Sequence, residues 1–329
     1  MDNKITTDRL LEVNNLKTYF PIKKGILGFK KEFVKAVDDV SLNIKSGETF
    51  GIVGESGSGK STLGKSIMKL VKPTSGKIKI KGIDITNFSK KEMFPIRKDV
   101  QIVFQDPYSS LNPRYSAGKI VSEGMKLHKI CELSEINSKL IDIFKKVGLN
   151  EFQINNYPHE FSGGQRQRIG LARALALNPS LIIADEPVSA LDVSVQAQVI
   201  NLFMDLQEEF GLSYMFIAHD LSVIAQICSK IAVMYLGNIV EICDRKTLFK
   251  NAQHPYTKAL LSSIPTQNPK SKKKQHQLIQ GDIPSPSNPP SGCKFHTRCP
   301  FAKKICSQEV PTLRKIDKDH EVSCHLVMQ

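Results

Sequence analysis

The chain has 329 residues and lacks any apolar run long enough to cross a membrane. Its apolar runs, such as residues 181–184, fall far below the roughly 18 residues of a membrane-spanning helix. Residues 1–4 also open no apolar signal region. These absences predict a protein of the cytosol, or one that docks to a membrane from the cytosolic side.

Acidic residues are in deficit, since 32 Asp and Glu stand against 46 Lys and Arg, a net charge of +14. Such an excess is compatible with a lysine-rich surface, with nucleic acid binding or with attraction to an anionic membrane. The apolar share of 40% is ordinary for a globular protein and fits one large domain, alone or with an appendage. Seven cysteines in a cytosolic chain indicate free thiols or a metal site rather than disulfides.

A glycine-rich stretch fits the phosphate-binding pattern G-x-x-x-x-G-K-[ST] of nucleotide hydrolases. In this pattern the backbone curls so that several N–H groups face one point at a helix start, where the helix dipole also favours negative charge. Lys60 would reach the β- and γ-phosphates, and the hydroxyl of Ser61 would hold Mg²⁺. The predicted nucleotide site is formed by Gly54, Glu55, Ser56, Gly57, Ser58, Gly59, Lys60, Ser61 and Thr62.

The flanks of this loop agree with the pattern. Residues 49–53 read as a buried strand, and residues 60–71 read as an amphipathic helix with a proline just beyond it. A plain Gly/Ser loop between strand and helix is the alternative, but it does not account for the lysine and the hydroxyl in this order. A dinucleotide fingerprint fails because Thr62 occupies its third glycine position.

Two segments around the loop alternate apolar and polar residues. Residues 40–44 and 78–80 therefore predict half-buried antiparallel strands, which would form a layer on the nucleotide core. Tyr19 or Phe20 would stack on a nucleotide base, an interaction worth about 1–3 kcal/mol on aromatic side chains. Packing of either ring in the core is the alternative.

Residues 100–105 read as a strand that ends on Gln105, after which a helical pattern covers residues 116–156. This pattern predicts a helical insertion between two halves of the core. A glycine pair then leads into a helix over residues 169–177. The motif doubles as a capping box, yet glycines in a first turn weaken a helix and favour close approach of a ligand. Its residues are Ser162, Gly163, Gly164 and Gln165.

A short apolar strand over residues 181–184 delivers Asp185 and Glu186 at its end. Carboxylates placed beside a phosphate loop suit a Mg²⁺ ligand and a general base. An amphipathic helix with Val195 and Phe210 in its apolar stripe follows, and then another buried strand ends at His219. Because the other strand ends carry candidate ligands, this histidine is predicted to be functional rather than structural.

Four cysteines close the chain at the spacing C-x5-C-x6-C-x17-C. The spacing matches neither a zinc-finger pair nor a common ferredoxin run, so a metal group and free thiols in a small cap both remain open. His296 and His325 could replace a thiolate in a zinc site. The candidate ligands are Cys293, Cys299, Cys306 and Cys324, whereas Cys131, Cys228 and Cys243 lie in apolar patterns and are predicted to be small core residues.

In chain order these motifs resemble the ATP-binding subunits of ABC transporters over about residues 9–245. The matching features are the phosphate loop, the Q-loop Gln105, the signature from Ser162, the Walker B carboxylates, the D-loop ending on Asp192 and the switch His219. Phe161 stands where the family usually has leucine. The resemblance implies an α/β fold: a P-loop NTPase core with an antiparallel β subdomain, an inserted α-helical subdomain and a small cysteine-containing C-terminal extension.

Residues 104–114, 157–162, 254–261 and the cysteine tail are most similar to bacterial oligopeptide and dipeptide importer ATPases, closest to the F-type oligopeptide permease subunit. This resemblance implies a D-type ATPase partner, two transmembrane permease subunits, an extracytoplasmic peptide-binding protein and a peripheral place on the cytoplasmic face. It also implies a four-iron cluster on the tail. Residues 9–262 would form the ATP-binding domain, with the helical insertion at about 106–170, and residues 263–329 the C-terminal region.

The resemblance also implies a mechanism. Each ATP would lie between the phosphate loop of one subunit and the signature backbone and Asp192 of another. Gln105 would sense the γ-phosphate and Mg²⁺, with Ser61 and Asp185 as further Mg²⁺ ligands. Glu186 would polarise the attacking water, and His219 would hold the γ-phosphate in line.

Two other functions compete with a transport ATPase. A soluble ABC-type ATPase acting on nucleic acid fits the positive charge, but such relatives carry long coiled coils or two ATP-binding units, and this chain has one phosphate loop. A non-catalytic partner in a mixed dimer is disfavoured because no hydrolytic residue is missing. We therefore expect no nucleic acid partner. The sequence leaves the cargo and the choice between homodimer and heterodimer open.

Overall fold

The computed structural model describes residues 9–24, 30–264 and 281–327, so most of the proline-rich stretch after residue 264 lies outside the described residues. The strands are β1 (Arg9–Lys24), β2 (Lys30–Lys45), β3 (Thr49–Val53), β4 (Ser75–Ile80), β5 (Ile83–Asp84), β6 (Val100–Val103), β7 (Leu181–Asp185), β8 (Ser213–Ala218), β9 (Lys230–Tyr235), β10 (Asn238–Asp244), β11 (Arg314–Asp317) and β12 (His320–Val322). The helices are α1 (Lys60–Ile67), α2 (Met93–Asp99), α3 (Pro107–Ser110), α4 (Ala117–Leu127), α5 (Ile136–Lys146), α6 (Gly163–Leu175), α7 (Val193–Phe210), α8 (Leu221–Ile227), α9 (Arg245–Asn251), α10 (Pro255–Ser262) and α11 (Lys304–Gln308).

The described chain divides into two compact units. We call residues 12–43, 50–79 and 218–327 the phosphate-loop unit, because they include the glycine-rich stretch. We call residues 9–11, 44–49 and 80–217 the helical unit, because they include the predicted helical insertion. Each unit is described by itself.

The phosphate-loop unit contains a sheet with the strand order β3-β9-β10-β12-β11. β3 and β9 are parallel, and the remaining neighbours are antiparallel. Every residue of β3 is buried, as its uninterrupted apolar run predicts for a central strand. A second sheet contains β2, β1 and β4 in that order, and it confirms the strands predicted from alternation. Their inward residues Val40, Leu42, Ile44, Ile78 and Ile80 are all buried.

The helical unit contains the parallel strands β6, β7 and β8, with β7 between its two neighbours. Phe203 of α7 packs edge-on against Tyr214 and Phe216 of β8, at centroid distances of 5.3 and 5.4 Å. The predicted helical insertion is confirmed as α4, α5 and the start of α6. α5 ends at Lys146, and Gly148 follows it with φ +69°, a conformation typical of a helix C-terminus.

Three predicted boundaries were wrong. The helix expected to continue to residue 71 ends at Ile67, because Lys69 takes a left-handed conformation and the N–H of Leu70 bonds back to the Lys65 carbonyl. The strand expected to reach Gln105 ends at Val103. The helix expected over residues 169–177 begins at Gly163, because Ser162 caps it.

The prediction that Phe210 lies in the core was also wrong. Phe210, placed by periodicity in the buried stripe of α7, is 41% exposed. The ammonium of Lys146 lies 4.4 Å from the centroid of its ring, an arrangement that favours a partly open aromatic face. Among the described residues, no helix has both the length and the apolar character needed to cross a bilayer.

A buried carboxylate fastens the C-terminal strands to the sheet of the phosphate-loop unit. Glu241 of β10 is fully buried, and one of its oxygens accepts hydrogen bonds from the Gln253 N–H at 2.7 Å and from His320 Nε2 at 2.7 Å. The other oxygen accepts from the His254 N–H at 3.0 Å. The charge is therefore saturated by donors, which explains an acid inside an otherwise apolar strand.

We predict that Glu241→Ala lowers the free energy of unfolding by about 3–5 kcal/mol, because it leaves a buried imidazole and two buried N–H groups without their acceptor. Urea denaturation followed by circular dichroism measures the change. Glu309→Ala, at an exposed position of the same unit, is the matched control. Equal urea midpoints for the two variants would contradict the assignment.

Candidate functional site

The phosphate loop connects β3 to α1 as the pattern predicts. Gly59 is the N-cap of α1 and has φ +101°, a conformation that only glycine adopts at no cost. A Cβ atom there would lie 1.9 Å from the Ala36 carbonyl oxygen, so the position has no room for a side chain. Because the N-cap carries no side-chain acceptor, the first turn of α1 is built to receive an external anion.

Lys60 holds the curl of the loop from inside. Its side chain is only 4% exposed, and Nζ donates to the carbonyl oxygens of Gly54 at 2.7 Å and Glu55 at 3.0 Å. The loop is also closed by a backbone bond from the Ser58 N–H to the Glu55 carbonyl at 3.2 Å. Ser56 and Gly57 form its exposed tip, whereas Ser61 and Thr62 are half-buried in the first turn of α1.

The two aromatic candidates differ in their surroundings. The Tyr19 hydroxyl donates to a carboxylate oxygen of Asp38, and burial followed by this hydrogen bond raises the pKa of Tyr19. Neighbouring residues of a strand point to opposite faces of the sheet, so Tyr19 and Phe20 cannot both stack on the same nucleotide base. Phe20 is 38% exposed and is the ring with more surface for a base, so its stacking stays a prediction.

In the helical unit, the side chains of Gln105 and Glu186 contact each other, and their catalytic roles stay predictions. The Gln105 side-chain amide donates to Glu186 Oε2 at 3.0 Å. Glu186 follows β7 in a left-handed conformation, with φ +48°, which is rare for a residue with a long side chain. Its N–H donates to the Ile217 carbonyl at 2.9 Å, and its own carbonyl accepts from Ser189. These bonds aim the carboxylate away from the line of the strand, while Asp185 at the strand end is 3% exposed.

The signature motif has a structural and an exposed half. The capping box is present, because the Gln165 N–H donates to Ser162 Oγ at 3.3 Å and the Ser162 N–H donates to the Gln165 side chain at 3.0 Å. A Cβ atom on Gly164 would lie 2.5 Å from Val195 Cγ1, so this glycine is required by packing of α6 on α7. Ser162 and Gly163 are exposed and remain the part of the motif available to a ligand.

Asp192 and His219 occupy helix starts. Asp192 is the exposed N-cap of α7, and its carbonyl accepts from the Gln196 N–H at 2.8 Å. His219 lies in the exposed turn between β8 and α8, where the Asp220 carboxylate caps the helix through the Ser222 N–H at 2.7 Å. Both residues are exposed, and their roles stay predictions.

The four tail cysteines lie within electrostatic range of one another. Burial raises the pKa of Cys293 to about 11; a backbone hydrogen bond opposes this, and the thiols of Cys324, Cys306 and Cys299 reinforce it. Backbone N–H groups donate to the sulfurs of Cys306 and Cys324 at 3.4 Å, the kind of bond that tunes thiolate ligands.

Among the described residues, the four tail sulfurs belong to no grouping of three or more candidate metal ligands within 4.8 Å. A tetrahedral zinc would bring its ligating sulfurs within about 3.8 Å of one another. In the part of the chain that the structure describes, the grouping of three or more metal-ligating atoms within 4.8 Å is Glu241, Cys243 and His320. That grouping surrounds the carboxylate already saturated by hydrogen bonds.

The remaining cysteines and histidines have ordinary surroundings. Cys228 and Cys243 are buried, which confirms them as core residues, and burial raises the pKa of both thiols. Cys131 is only half-buried, so its prediction as a core residue was wrong, since it follows the end of α4 in a turn. His296 and His325 each engage a backbone carbonyl through one ring nitrogen.

Sequence reasoning missed residues that contact the phosphate loop from far along the chain. The Glu55 N–H donates to the Tyr256 hydroxyl at 2.9 Å, and the Glu55 carboxylate pairs with Arg298 at 2.8 Å. Both partners lie in segments that carried the family resemblance, but no spacing in those segments indicates a contact with the phosphate loop. The signal available was the placement of Arg298 directly before Cys299.

Comparison with known proteins agrees with the motifs and the geometry. Residues 37–189 match the ABC transporter family, and residues 240–306 match the C-terminal region of oligopeptide/dipeptide transporters. The chain is 53% identical over 321 residues to the oligopeptide transport ATP-binding protein AppF of Bacillus subtilis, covering 97% of this chain and 98% of the relative. It is 51% identical over 319 residues to the putative oligopeptide transport ATP-binding protein YkfD of the same organism, covering 96% and 95%.

Solved structures show the same fold. The ATP-binding cassette MJ0796, solved as a dimer with ADP and phosphate, superposes with a TM-score of 0.64 and is 32% identical, covering 71% of this chain and 98% of that chain. CbiO1 of Clostridium perfringens, part of the transporter complex CbiONQ, gives 0.63 and 29%, covering 74% and 92%. The two family matches and the full-length relatives place this chain in the oligopeptide and dipeptide group of ABC transporter ATP-binding subunits.

Proposed function

We propose that this chain binds and hydrolyses ATP to drive the import of oligopeptides or dipeptides through a bacterial ABC transporter. The observation that carries the catalytic part is the hydrogen bond between Gln105 and Glu186 at the end of β7. The family supplies the transport part, since the full-length relatives are oligopeptide transport ATP-binding proteins. No observation on the described residues favours nucleic acid.

The triphosphate would enter at the start of α1. Lys60 is already aligned along the loop backbone, so it would reach the β- and γ-phosphates without unfolding the curl. Ser61, Gln105 and Asp185 would hold Mg²⁺, which supplies charge neutralisation on the phosphates. Phe20 would stack on the base, and His219 would contact the γ-phosphate.

Glu186 would orient the attacking water and accept its proton. The left-handed backbone at this residue fixes where the carboxylate points, and Gln105 occupies one of its oxygens. A positioned carboxylate of this kind lowers the barrier through proton transfer and orientation. Gln105 would pass a change at the site to α3, which begins two residues further on and is capped by Asp106.

A second ATPase subunit would complete the site. Ser162 and Gly163 face solvent at the start of α6, where backbone N–H groups suit a phosphate, and Asp192 is exposed at the start of α7. The cassette MJ0796 was solved as a dimer, which supports the same arrangement here. The partner would be a D-type subunit in a heterodimer.

The permease subunits would dock on the helical unit. A cavity of about 630 Å³ lies there, bordered by the ends of α2 and α4, with Leu127 at its rim 63% exposed. It is lined by basic side chains that include Arg97, Lys119 and Arg173, which suits an acidic cytoplasmic loop. The chain would thereby lie at the cytoplasmic face of the membrane, with an extracytoplasmic peptide-binding protein acting on the other side.

The four tail cysteines would hold a four-iron cluster. Backbone N–H···S bonds to Cys306 and Cys324 are of the kind that supports cluster sulfurs. A cluster would add covalent links among four chain positions, two of which, Cys293 and Cys306, are already joined by a backbone hydrogen bond, and so would stiffen the tail further.

We predict that Glu186→Gln keeps ATP binding and loses hydrolysis by about 10²–10⁴-fold, the usual contribution of a positioned base. Phosphate release by the purified full chain with its ATPase partner measures turnover, and calorimetric titration measures binding. Glu208→Gln, exposed on α7, is the matched control. Near-normal turnover in the Glu186 variant would remove this residue from the role.

We predict that Leu127→Glu abolishes co-purification with the two permease subunits from detergent-solubilised membranes, because a charge at the cavity rim cannot be desolvated on docking. ATP binding by the variant should be unchanged. Leu133→Glu, 76% exposed and outside the cavity, should still co-purify. If Leu127→Glu still co-purifies with both permeases, the permeases do not dock at this cavity.

We predict that the anaerobically purified chain carries about four irons and absorbs visible light. Cys306→Ala should lose both, whereas Cys131→Ala should keep them. Iron and absorbance are measured by elemental analysis and spectroscopy. A wild-type sample with zinc alone, or with neither metal nor visible absorbance, would overturn the cluster.

A further inference from the structure

The segment of residues 293–299, which we call the cysteine segment, contacts the phosphate loop through an ion pair. Arg298 donates from one terminal nitrogen to Glu55 Oε2 at 2.8 Å and from the other to Oε1 at 3.2 Å. This is a fork-to-fork arrangement, the strongest geometry for such a pair. The Arg298 side chain is only 7% exposed and that of Glu55 is 23% exposed, so water screens the pair weakly.

Surrounding groups fix both partners of this pair. The Arg298 guanidinium lies 5.9 Å from the centroid of the Tyr235 ring and also donates to the Tyr235 hydroxyl at 3.4 Å. The Glu55 N–H donates to the Tyr256 hydroxyl, so the backbone and the carboxylate of Glu55 are both held. Phe295 anchors the cysteine segment between Tyr235 and Tyr256 and is 2% exposed.

A second cation of the same segment contacts the strand beside the predicted base site. Lys294 Nζ donates to Asp38 Oδ2 at 3.0 Å and to the Leu236 carbonyl at 2.8 Å. Asp38 in turn accepts from the Tyr19 hydroxyl. The two cations of the cysteine segment therefore support the site at two separate points.

Electrostatics explains why Glu55 needs this partner. A loop that binds a triphosphate gains nothing from a carboxylate of its own, because two negative charges in a partly dry site repel each other. Arg298 cancels that charge and holds it in one place. The Nε–H of Arg298 is buried without a partner among the described residues, so the side chain keeps this position despite an unsatisfied donor.

We propose that Arg298 is a positioning residue for nucleotide binding, which neutralises Glu55 and fixes the phosphate loop so that the loop accepts the triphosphate. This inference rests on the proposed function, since it takes ATP as the ligand of the loop. The cysteine segment thereby forms part of the nucleotide site, although it lies far along the chain and outside the nucleotide motifs.

The test is a double-mutant cycle on the full chain, with MgATP titrated in a calorimeter. Arg298→Ala should weaken ATP binding about tenfold, within the usual range for coupling between sites. Glu55→Gln removes the charge that Arg298 neutralises, and its own ATP affinity is the reference against which the double variant is compared. The variant that combines both changes should recover most of the loss. Lys304→Ala, an exposed cation on α11, is the matched control and should bind as wild type.

A purely structural role would give a different pattern. A structural defect would persist in the double variant, whereas a charge defect is relieved when Glu55→Gln removes the repulsion between residue 55 and the phosphates. If Arg298→Ala fails to fold, Arg298→Lys keeps the charge without the fork and should show a smaller loss that Glu55→Gln again relieves. Unchanged ATP affinity in the arginine variants, or a loss that Glu55→Gln does not relieve, would overturn the proposal.

The same titrations separate this inference from the proposed function. If the wild-type chain binds no ATP, or if the Lys60→Ala variant binds ATP as tightly as the wild-type chain does, the nucleotide site itself is refuted. If the wild-type chain binds ATP and Lys60→Ala weakens that binding, but Arg298→Ala leaves it unchanged, only the role of the arginine is refuted.

Discussion

The constraint on which the rest of the structure depends is the tight curl of the phosphate loop. A triphosphate is a dense negative charge, and backbone N–H groups bind it only when several of them face one point. The curl is closed by Lys60, which reaches back to the Gly54 and Glu55 carbonyls, and by the left-handed Gly59 that lies against the Ala36 carbonyl. β3, which leads directly into the loop, is buried along its whole length and so fixes the position of the first residue of the loop. Glu55 is the one acidic residue of the loop, and its partners Tyr256 and Arg298 come from distant parts of the chain.

Local patterns predicted most of the elements and the residues of the motifs. β3, the strands over residues 40–44 and 78–80, and the capping box at Ser162 are visible in sequence because their signals lie within a few residues. The errors occurred where a distant or non-helical contact decided the outcome. α1 stops early because Lys69 turns left-handed, and Phe210 stays exposed beneath the ammonium of Lys146. Neither the left-handed backbone at Lys69 nor the contact of Lys146 with Phe210 produces a periodic pattern in the sequence.

The two glycines of the signature motif are required for different physical reasons. Two glycines in a first turn predicted close approach of a ligand, and the exposed Gly163 fits that reason. Gly164 has a different cause, because Val195 of α7 occupies the space of its missing Cβ. Packing and ligand access therefore select the same residue type at neighbouring positions. A substitution at Gly164 would disturb the contact between α6 and α7 before it disturbed any nucleotide, whereas one at Gly163 would act on the exposed surface first.

The pairing of Arg298 with Glu55 was beyond sequence reasoning, since the two residues are 243 positions apart. It also changes how the tail should be understood. An appendage that merely carried cysteines would have no reason to bury an arginine with an unsatisfied Nε–H, or to place Phe295 between two tyrosines. Each cation adjoins a candidate metal ligand, because Lys294 follows Cys293 and Arg298 precedes Cys299. Whatever holds those sulfurs in place also holds the cations, so order in the tail and order in the phosphate loop depend on the same short segment of backbone.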